Sequence, residues 1–315
     1  MRIRLADYVA DFLVSHGVTD VFSVVGGGAM HLNDAFGHQE GLKITYNHHE
    51  QACTIAAEGY TRQTGKIAPV CVTGGPGGTN AITGVFGAYV DSIPMFVVTG
   101  QAKRETTVWS TTLPLRQLGD QEVNITSAVS TMTKYAKMIT DPMSIRKEVE
   151  KAWFLMLNGR PGPVWLDIPG DVASTFIETD DLEGFDKQGY IDEHWASFNQ
   201  DNPVYDEQYT KDVLAKIKEA KRPVILAGTA IRHANQQNEF IKGIDKLGIP
   251  VVTAWDAHDI IWDEHPLYCG RPGTVGTRAG NFIVQNADLL IVLGCRMNIR
   301  MIGYNFGDFG KNAYK

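Results

Sequence analysis

The sequence predicts an α/β protein with two doubly wound parallel-sheet domains, the second of them incomplete at its carboxyl end. Short apolar runs rich in β-branched residues alternate with stretches of helical periodicity, and this alternation occurs in two series. Strand, helix and strand in series form a parallel sheet with helices on both faces. A chain of 315 residues with 43% apolar content suits roughly two domains at about 150 residues each.

The first domain is expected to occupy residues 1–173. Its first helix begins at Leu5 and ends at His16-Gly17, because glycine can take the left-handed capping conformation. Further helices are expected at 30–38, 50–64, 79–90 and 144–157. The expected strands are 21–25, 42–46, 70–73, 95–99, 132–138 and 164–168, in the short apolar pattern of strands buried on both faces.

A linker is expected at 174–206, where the sequence is acidic and polar with little periodicity. It includes Asp180-Asp181 and the turn-forming run from Asn199 to Pro203. The second domain, 207–315, is expected to contain helices at 207–220, 240–247 and 279–285 and strands at 224–227, 249–253 and 289–293. No further apolar strand precedes Lys315, so we expect this domain to be unfinished.

Composition excludes several classes of partner. A net charge of -7 gives no attraction to nucleic acids or anionic lipids. The amino-terminal segment predicts an amphipathic helix rather than an export signal, and no run of about 18 apolar residues exists to span a membrane. The four cysteines lack CxxC or zinc-like spacing, so we interpret them as reduced core residues of a cytoplasmic protein: Cys53, Cys71, Cys269 and Cys295.

Two segments combine a predicted strand end with chemically useful residues. Glu50 follows His48-His49 where a strand gives way to a helix, the edge at which ligands bind in open α/β sheets. An acid in a first helical turn also has a structural explanation, since it complements the helix dipole. The run from Gly74 to Asn80 lets a ligand approach the backbone closely, or forms a tight turn.

Two further segments are weaker when taken alone. Gly26-Gly27-Gly28 follows the first strand, and the run from Gly159 to Val164 is explained by a rigid turn before the last strand of the domain. The pair His48-His49 has no third ligand at suitable spacing, so we predict no metal site there.

The order of these segments closely resembles the pyrimidine-binding domain of thiamine-diphosphate enzymes, with the acetolactate synthase group as the nearest match. The resemblance covers about residues 3–172 and extends into the second domain. It is carried by Gly26-Gly27-Gly28, His49-Glu50-Gln51, the run from Gly74 to Asn80, Asp91-Ser92-Ile93-Pro94, Thr99-Gly100-Gln101, Gln121-Glu122, the run from Gly159 to Pro163, the run from Gly270 to Thr274 and the run from Leu293 to Asn298.

The resemblance implies catalytic roles for Glu50 and Gln121. Glu50 would share its proton with a ring nitrogen of the aminopyrimidine, which then acts as a base through the cofactor. Gln121 would stabilise charge on substrate oxygens, unless it caps the next helix. His49 would orient Glu50 or pack against the sheet. The implied cofactor-binding residues are Val25, Gly26, Gly27, His49, Thr73, Pro76, Gly77, Asn80 and Arg160 and, along a flavin nucleotide, Gly273, Thr274, Gly294, Arg296 and Asn298.

Three departures from the synthase pattern leave FAD and the exact substrate open. Asn298 stands where the synthases usually carry an acid, and Gly170 replaces a lysine. Asp120 stands where they have phenylalanine. Magnesium would bind at a Gly-Asp-Gly motif in a third domain. Here Gly307-Asp308 is followed by phenylalanine, so we expect the Mg²⁺ ligands outside this chain and the chain to be an inactive fragment, or to depend on a partner chain.

The resemblance implies a carboligase that decarboxylates a 2-keto acid such as pyruvate and joins the remainder to a second carbonyl. It also implies a homodimer or homotetramer, because the family pairs the pyrimidine domain of one subunit with the diphosphate domain of another. Two alternatives stay open: a decarboxylase or lyase of the same superfamily, and a non-catalytic nucleotide-binding protein on the same scaffold.

Overall fold

The structure, a computed structural model, describes residues 1–194 and 206–315. The chain divides into two compact units, Met1–Val204 and Tyr205–Lys315. The strands are β1 (Arg2–Arg4), β2 (Asp20–Ser23), β3 (Lys43–Tyr46), β4 (Val70–Thr73), β5 (Met95–Gln101), β6 (Tyr135–Met138), β7 (Pro163–Pro169) and β8 (Phe176–Glu178) in the first unit and β9 (Pro223–Ala227), β10 (Val251–Thr253) and β11 (Leu289–Leu293) in the second.

Helices connect these strands in both units. Those of the first unit are α1 (Leu5–Ser15), α2 (Met30–His38), α3 (Glu50–Thr64), α4 (Pro76–Asp91), α5 (Ile125–Val129), α6 (Ile145–Leu157), α7 (Gly170–Ala173) and α8 (Lys187–Glu193). Those of the second unit are α9 (Glu207–Glu219), α10 (Ala230–His233), α11 (Gln237–Leu247), α12 (Arg278–Asn286) and α13 (Ile299–Ile302).

The first unit is built on a six-stranded sheet in the order β3-β2-β4-β5-β7-β6, with every neighbouring pair parallel. The central strands β5 and β7 are buried at every position, which explains their continuous apolar sequence. Helices α1, α2 and α6 cover one face and helices α3, α4 and α5 the other, each with its own apolar core. This arrangement confirms the predicted doubly wound α/β fold.

The helix and strand boundaries follow local chemistry. Helix α3 occupies the predicted residues and ends before Gly65, which has a φ of 70°. Helix α4 begins at Pro76, three residues before the predicted start at Thr79, because proline suits the first turn of a helix, where no backbone donor is needed. Strand β6 is shorter than predicted and begins only at Tyr135.

The predicted linker at 174–206 differs from the structure over its first half. Strand β8 pairs antiparallel with β1, with Ile177 opposite Ile3, and Ile177 is buried in the core of the first unit. Helix α8 follows, with Asp186 as its cap. Such short strands and helices show little periodicity in the sequence, which is why the segment resembles a linker. The predicted turn from Asn199 to Pro203 lies outside the described residues.

The second unit contains a three-stranded parallel sheet in the order β10-β9-β11. Its core includes Phe240 and Ile244 from α11 and Val284 from α12, packed with the strand residues. The last residues also contact the sheet, since Tyr314 forms a parallel bridge to Leu289 beside β11. Among the described residues of both units, no helix is long and apolar enough to cross a membrane.

Candidate functional site

The candidate site lies at the carboxyl edge of the six-stranded sheet. From β2 the chain moves outward to β3 and then crosses back to β4 on the other side of β2. Such a reversal opens a crevice beyond the carboxyl ends of the strands, where ligands of open α/β sheets bind. The loops that follow β2, β3, β4, β5 and β7 all reach this edge, so residues far apart in sequence meet there.

Glu50 is the first residue of α3 and is half-buried. His49 caps this helix, since its Nδ1 accepts a hydrogen bond from the backbone N–H of Gln51 at 3.1 Å. One carboxylate oxygen of Glu50, Oε2, accepts a hydrogen bond from Nδ2 of Asn80 at 3.0 Å. The carboxylate is therefore fixed from α4 through one oxygen, and its other oxygen is available to a ligand.

Thr73 lies between Glu50 and the glycine-rich loop after β2. Its hydroxyl accepts a hydrogen bond from the backbone N–H of Gly28 at 3.1 Å. A Cβ built on Gly77 would lie 2.8 Å from Cγ2 of Thr73 and 3.3 Å from Oε1 of Glu50. Glycine at position 77 thus keeps space open beside the carboxylate.

A cavity of about 930 Å³ opens next to Thr73. Glycine lines it at six positions, namely Gly26, Gly27, Gly28, Gly74, Gly100 and Gly170. Among its other lining residues are His31, Thr73, Lys103, Asp120, Gln121 and Asp171. Met30 is its one large apolar side chain among the described residues. The cavity is therefore roomy, and apart from Met30 and Ala102 its non-glycine side chains are polar or charged.

Two close backbone contacts involve residues that line the cavity. A Cβ on Gly100 would lie 2.1 Å from the carbonyl oxygen of Gly28. Gly75 has a φ of 61°, and a Cβ there would lie 2.2 Å from the carbonyl oxygen of Gln121. These glycines are needed by the fold itself, because only glycine permits such approaches.

The loop that carries Asp120 and Gln121 is held by Glu122. The Glu122 carboxylate accepts hydrogen bonds from the backbone N–H groups of Val108, Leu118 and Gly119, at 2.8, 3.0 and 3.0 Å. Burial opposes ionisation of Glu122, but these three donors outweigh it and lower its pKa. Gln121 has a φ of 57°, a conformation that a non-glycine residue adopts only when its surroundings impose it.

Asp167 is a buried carboxylate beneath the same edge, in β7. It accepts hydrogen bonds from the Thr99 hydroxyl at 2.6 Å and from Nε2 of Gln101 at 3.0 Å. Burial raises the pKa of Asp167 to about 6, although both hydrogen bonds act in the opposite direction. Nε2 of Gln101 also donates to the carbonyl of Val123 at 2.9 Å, so Asp167 supports the loop that holds Gln121.

The structure brings most of the predicted residues of the first domain together, but not all. Gly26, Gly27, Thr73 and Gln121 line the cavity, and Glu50, His49, Pro76, Gly77 and Asn80 form the adjoining cluster. Val25 does not line the cavity and is 65% exposed.

Arg160 lies at the opposite, amino edge of the sheet, because it precedes β7. Its Nε donates to the hydroxyl of Ser92 at 2.6 Å. The predicted placement of Arg160 with the cofactor residues is therefore not reproduced in this unit.

Two interpretations of single residues are corrected. The exposed His49 caps α3, so it does not pack against the sheet. Gln121 does not cap the next helix, since the N-cap of α5 is Asn124, whose side chain accepts from the N–H of Ser127 at 3.1 Å. Both had been open alternatives to a functional role, and neither could be decided without the surroundings of the side chain.

The four cysteines are free, but only two are core residues. Cys53 and Cys71 are buried, and burial raises the pKa of the Cys71 thiol to about 12. Cys269 and Cys295 are only half-buried. The prediction of four core thiols is therefore correct for the first unit alone.

The predicted flavin positions in the second unit gather around the carboxyl edge of its own sheet. Gly294 follows β11, and a Cβ on Gly228, which follows β9, would lie 2.2 Å from the Gly294 carbonyl oxygen. Gly273 is held by Asn281, which accepts from its N–H at 2.9 Å.

The remaining three flavin positions serve the local backbone or face solvent. The Thr274 N–H donates to the carbonyl of Arg300 at 3.0 Å, Asn298 caps α13, and Arg296 is exposed.

Several residues of the site were not singled out from the sequence. Asp167 is the clearest case, and its signal was a carboxylate inside an otherwise apolar strand. Lys103, in a loop, and His31, in the first turn of α2, line the cavity but carry no sequence signal, since polar and charged residues are common at such positions. In the described residues, no group of three or more His, Cys, Asp or Glu side chains is arranged to hold a metal ion.

Comparison with known proteins matches both units. The family described as "Thiamine pyrophosphate enzyme, N-terminal TPP binding domain" matches residues 3–128, and "Thiamine pyrophosphate enzyme, central domain" matches residues 210–315. The acetolactate synthase large subunit of Lactococcus lactis subsp. lactis is 33% identical over 297 residues, which cover 94% of this chain and 48% of that protein.

Two other relatives match over a similar range. Acetolactate synthase isozyme 1 large subunit of Escherichia coli is 31% identical, over 96% of this chain and 50% of that protein. The chloroplastic acetolactate synthase of Arabidopsis thaliana is 29% identical, over 95% of this chain and 42% of that protein. The chain thus spans about half the length of these curated relatives. With both units matched to consecutive domains of one family, the chain belongs to the thiamine pyrophosphate enzymes.

Proposed function

We propose that this chain supplies the pyrimidine-binding half of a thiamine-diphosphate-dependent carboligase that uses a 2-keto acid as its donor. The donor loses its carboxyl group as carbon dioxide, its keto carbon forms a new bond to a second carbonyl carbon, and one proton from solvent is taken up by the new hydroxyl. The cofactor, when bound, supplies the electron sink that this decarboxylation requires.

The observation that carries the proposal is the Glu50 carboxylate at the mouth of the sheet. It is half-buried, held through one oxygen by Asn80, and bordered by space that a side chain at Gly77 would fill. A flat ring with a nitrogen to be hydrogen-bonded fits such a setting, in which a fixed carboxylate exchanges a proton with the ring. These residues would hold the aminopyrimidine of the cofactor.

Gln121 is the second catalytic residue of the proposal. It lines the cavity beside Thr73, on a loop anchored by Glu122 and Gln101. A neutral amide donor in a fixed position can stabilise negative charge that develops on a substrate oxygen, without being repelled by the carboxylates nearby.

Replacement of Glu50 by glutamine tests the proposal in the natural full-length polypeptide supplied with thiamine diphosphate and Mg²⁺. Glutamine keeps the size and the hydrogen bond but cannot exchange a proton, so carbon dioxide release from pyruvate should fall by about 100-fold or more. Glu40→Gln is the matched control, because Glu40 is exposed and lies outside the site.

Unchanged turnover in Glu50→Gln would contradict the proposal and favour a non-catalytic nucleotide-binding protein. The products separate the remaining alternatives, since a carboligase gives a 2-hydroxy ketone. Acetaldehyde as the sole product from pyruvate would instead indicate a decarboxylase.

The proposal retains Mg²⁺ for the diphosphate, with ligands that the family resemblance assigns to a third domain. It also includes FAD in the second unit, supported by the gathering of Gly228, Gly273 and Gly294 at a sheet edge where the strand order reverses. Visible absorbance of the purified protein, with and without added FAD, tests whether the second unit binds the flavin. A colourless protein that takes up no FAD would remove it from the proposal.

We further propose a homodimer or homotetramer in the cytoplasm. Exposed apolar side chains on α3 and α4 support an interface with a second copy, namely Ile55, Phe86 and Tyr89. The four free cysteines support a reducing compartment. Light scattering tests the assembly, and a stable, active monomer would contradict it.

A further inference from the structure

The cavity beside Gln121 contains two charged side chains that are not neutralised by each other or by a neighbour. Asp120 and Lys103 both line it, both are exposed, and neither has a hydrogen-bond or ion-pair partner within residues 1–194 and 206–315. Asp171, by contrast, is engaged, since its Oδ2 accepts from Nε of Arg104 at 2.7 Å. The cavity therefore offers one free carboxylate and one free ammonium group.

These two groups are held in position by the fold. Asp120 precedes the strained residue Gln121 and follows Gly119, whose N–H is bound by Glu122 at 3.0 Å. Lys103 precedes Arg104, whose backbone N–H and side chain both bind Asp171. The backbone beside each charged residue is thus fixed, and both side chains line the same cavity.

The cavity has room for a hydroxylated acceptor. Its volume is about 930 Å³, and glycine lines it at six positions. One fixed anion and one fixed cation favour a neutral ligand that offers both hydrogen-bond donors and acceptors. A second 2-keto acid would pair its carboxylate with Lys103 and would leave Asp120 with no hydroxyl to accept a hydrogen bond from.

We infer that the acceptor of the carboligation is a neutral, hydroxylated aldehyde or ketone, recognised through its hydroxyl groups by Asp120 and Lys103. This inference rests on the proposed function and deepens it, since it names the class of the second substrate. Asp120 accepts hydrogen bonds from hydroxyls and Lys103 donates to them. A polar site of this kind disfavours an analogue that lacks the hydroxyls, because such a ligand displaces water from the two charged groups and offers them no hydrogen bond in return.

The test uses the natural full-length polypeptide with thiamine diphosphate, Mg²⁺ and pyruvate as donor. Glyceraldehyde is the acceptor probe, and propanal is its matched analogue without the two hydroxyls. We expect kcat/KM for glyceraldehyde to exceed that for propanal by about tenfold or more. Asp120→Asn and Lys103→Met should each raise the KM for glyceraldehyde by about tenfold, with little change for propanal.

Asp120→Phe should remove the preference for glyceraldehyde and favour the apolar acceptor. Glu105→Gln is the control on the same loop, because Glu105 is exposed and does not line the cavity. Carbon dioxide release from pyruvate is measured for each variant, and its retention shows that the variant folds and that the donor site is intact.

The possible failures are distinguishable. If the wild type releases carbon dioxide but treats glyceraldehyde and propanal alike, or if the Asp120 variants leave both KM values unchanged, the acceptor inference is wrong and the proposed function stands. If the wild type releases no carbon dioxide from pyruvate or other 2-keto acids, the proposed function fails and the inference fails with it.

Discussion

The two units present similar sheet edges with different chemistry. Each edge has a glycine pair in close backbone contact, Gly28 with Gly100 in the first unit and Gly228 with Gly294 in the second. The first edge adds ionisable groups with shifted pKa values, raised for Asp167 and lowered for Glu122. At the second edge the corresponding shift is the raised pKa of the Cys295 thiol, which burial causes.

Glycines and charged residues therefore indicate different properties of a sheet edge. Glycines at both edges permit backbone segments to meet, which any compact strand-to-loop junction requires. Carboxylates held at such an edge need dedicated hydrogen bonds, because an ionised group is costly to remove from water. The combination at the first edge is therefore the stronger indicator of catalysis, and perturbed ionisable groups do cluster at functional sites.

The largest loss of stability is expected when a methyl group is added at either glycine contact, and it tests whether the two contacts are equally tight. Gly100→Ala and Gly228→Ala should each destabilise their own unit by about 3 kcal/mol, since the new methyl group would meet a carbonyl oxygen at 2.1 or 2.2 Å. Hydrogen exchange in β5 and β9 measures the two units separately. Tolerance of Gly228→Ala alone would show that the second edge is the looser one.

The second prediction concerns the buried carboxylate of Asp167 at the first edge. The folded-state pKa of Asp167 is raised from 3.8 to about 6, so its contribution to stability is greatest below its ordinary pKa and is lost as the pH rises through about 6. Relative to Asp167→Asn, which cannot ionise, the free energy of unfolding should fall by roughly 3 kcal/mol between about pH 3 and pH 7. Urea unfolding of both proteins across this range measures it, and parallel pH profiles would contradict it.

Glu122 should behave in the opposite sense. Its lowered pKa means that its contribution is present above its ordinary pKa of 4.5 and is lost as the pH falls through the lowered value. Glu122→Gln should cost about 2 kcal/mol at neutral pH, because three backbone donors lose a charged acceptor. Urea unfolding of Glu122→Gln and the wild type across the same pH range tests this prediction. A loss of stability that stays the same in acid would contradict the lowered pKa of Glu122.

The smallest effect concerns glycines that have no close contact. Gly59 in α3 and Gly243 in α11 have nothing within 4 Å of a built Cβ. Gly59→Ala and Gly243→Ala should each stabilise their unit by about 0.5–1 kcal/mol through helix propensity. Thermal unfolding measures both, and a loss of stability in either would indicate a contact made in an assembly.

Much of the fold could be predicted from the sequence. The short apolar strands β4 and β11 and the periodic helix α3 were located at their observed residues, because local periodicity determines them. The pairing of β8 with β1 could not be predicted, since an antiparallel contact such as that of Ile3 with Ile177, far apart in the chain, leaves no local pattern. The start of α4 was missed for a local reason, because glycine and proline in the loop concealed the helical turn.

The candidate site also has a part that could be predicted from the sequence and a part that could not. Glu50 could be located because its position at a strand-to-helix junction is a local feature. The polar network of Asp167, Thr99 and Gln101, and the meeting of Lys103 with Asp120 in one cavity, depend on which strands are neighbours. Arg160 shows the limit of motif reasoning, because a residue can lie in a matching motif and still occupy the opposite edge of the sheet.

Sequence patterns were enough to predict the alternation of strands and helices, the parallel sheet that follows from it, and the glycines and carboxylate at the strand ends. These are local consequences of periodicity and backbone conformation. Which loops share a cavity, which carboxylates are buried or paired, and which charges are free to meet a ligand became clear from the folded chain alone. Those properties depend on strand order and desolvation, which arise only when distant segments pack together.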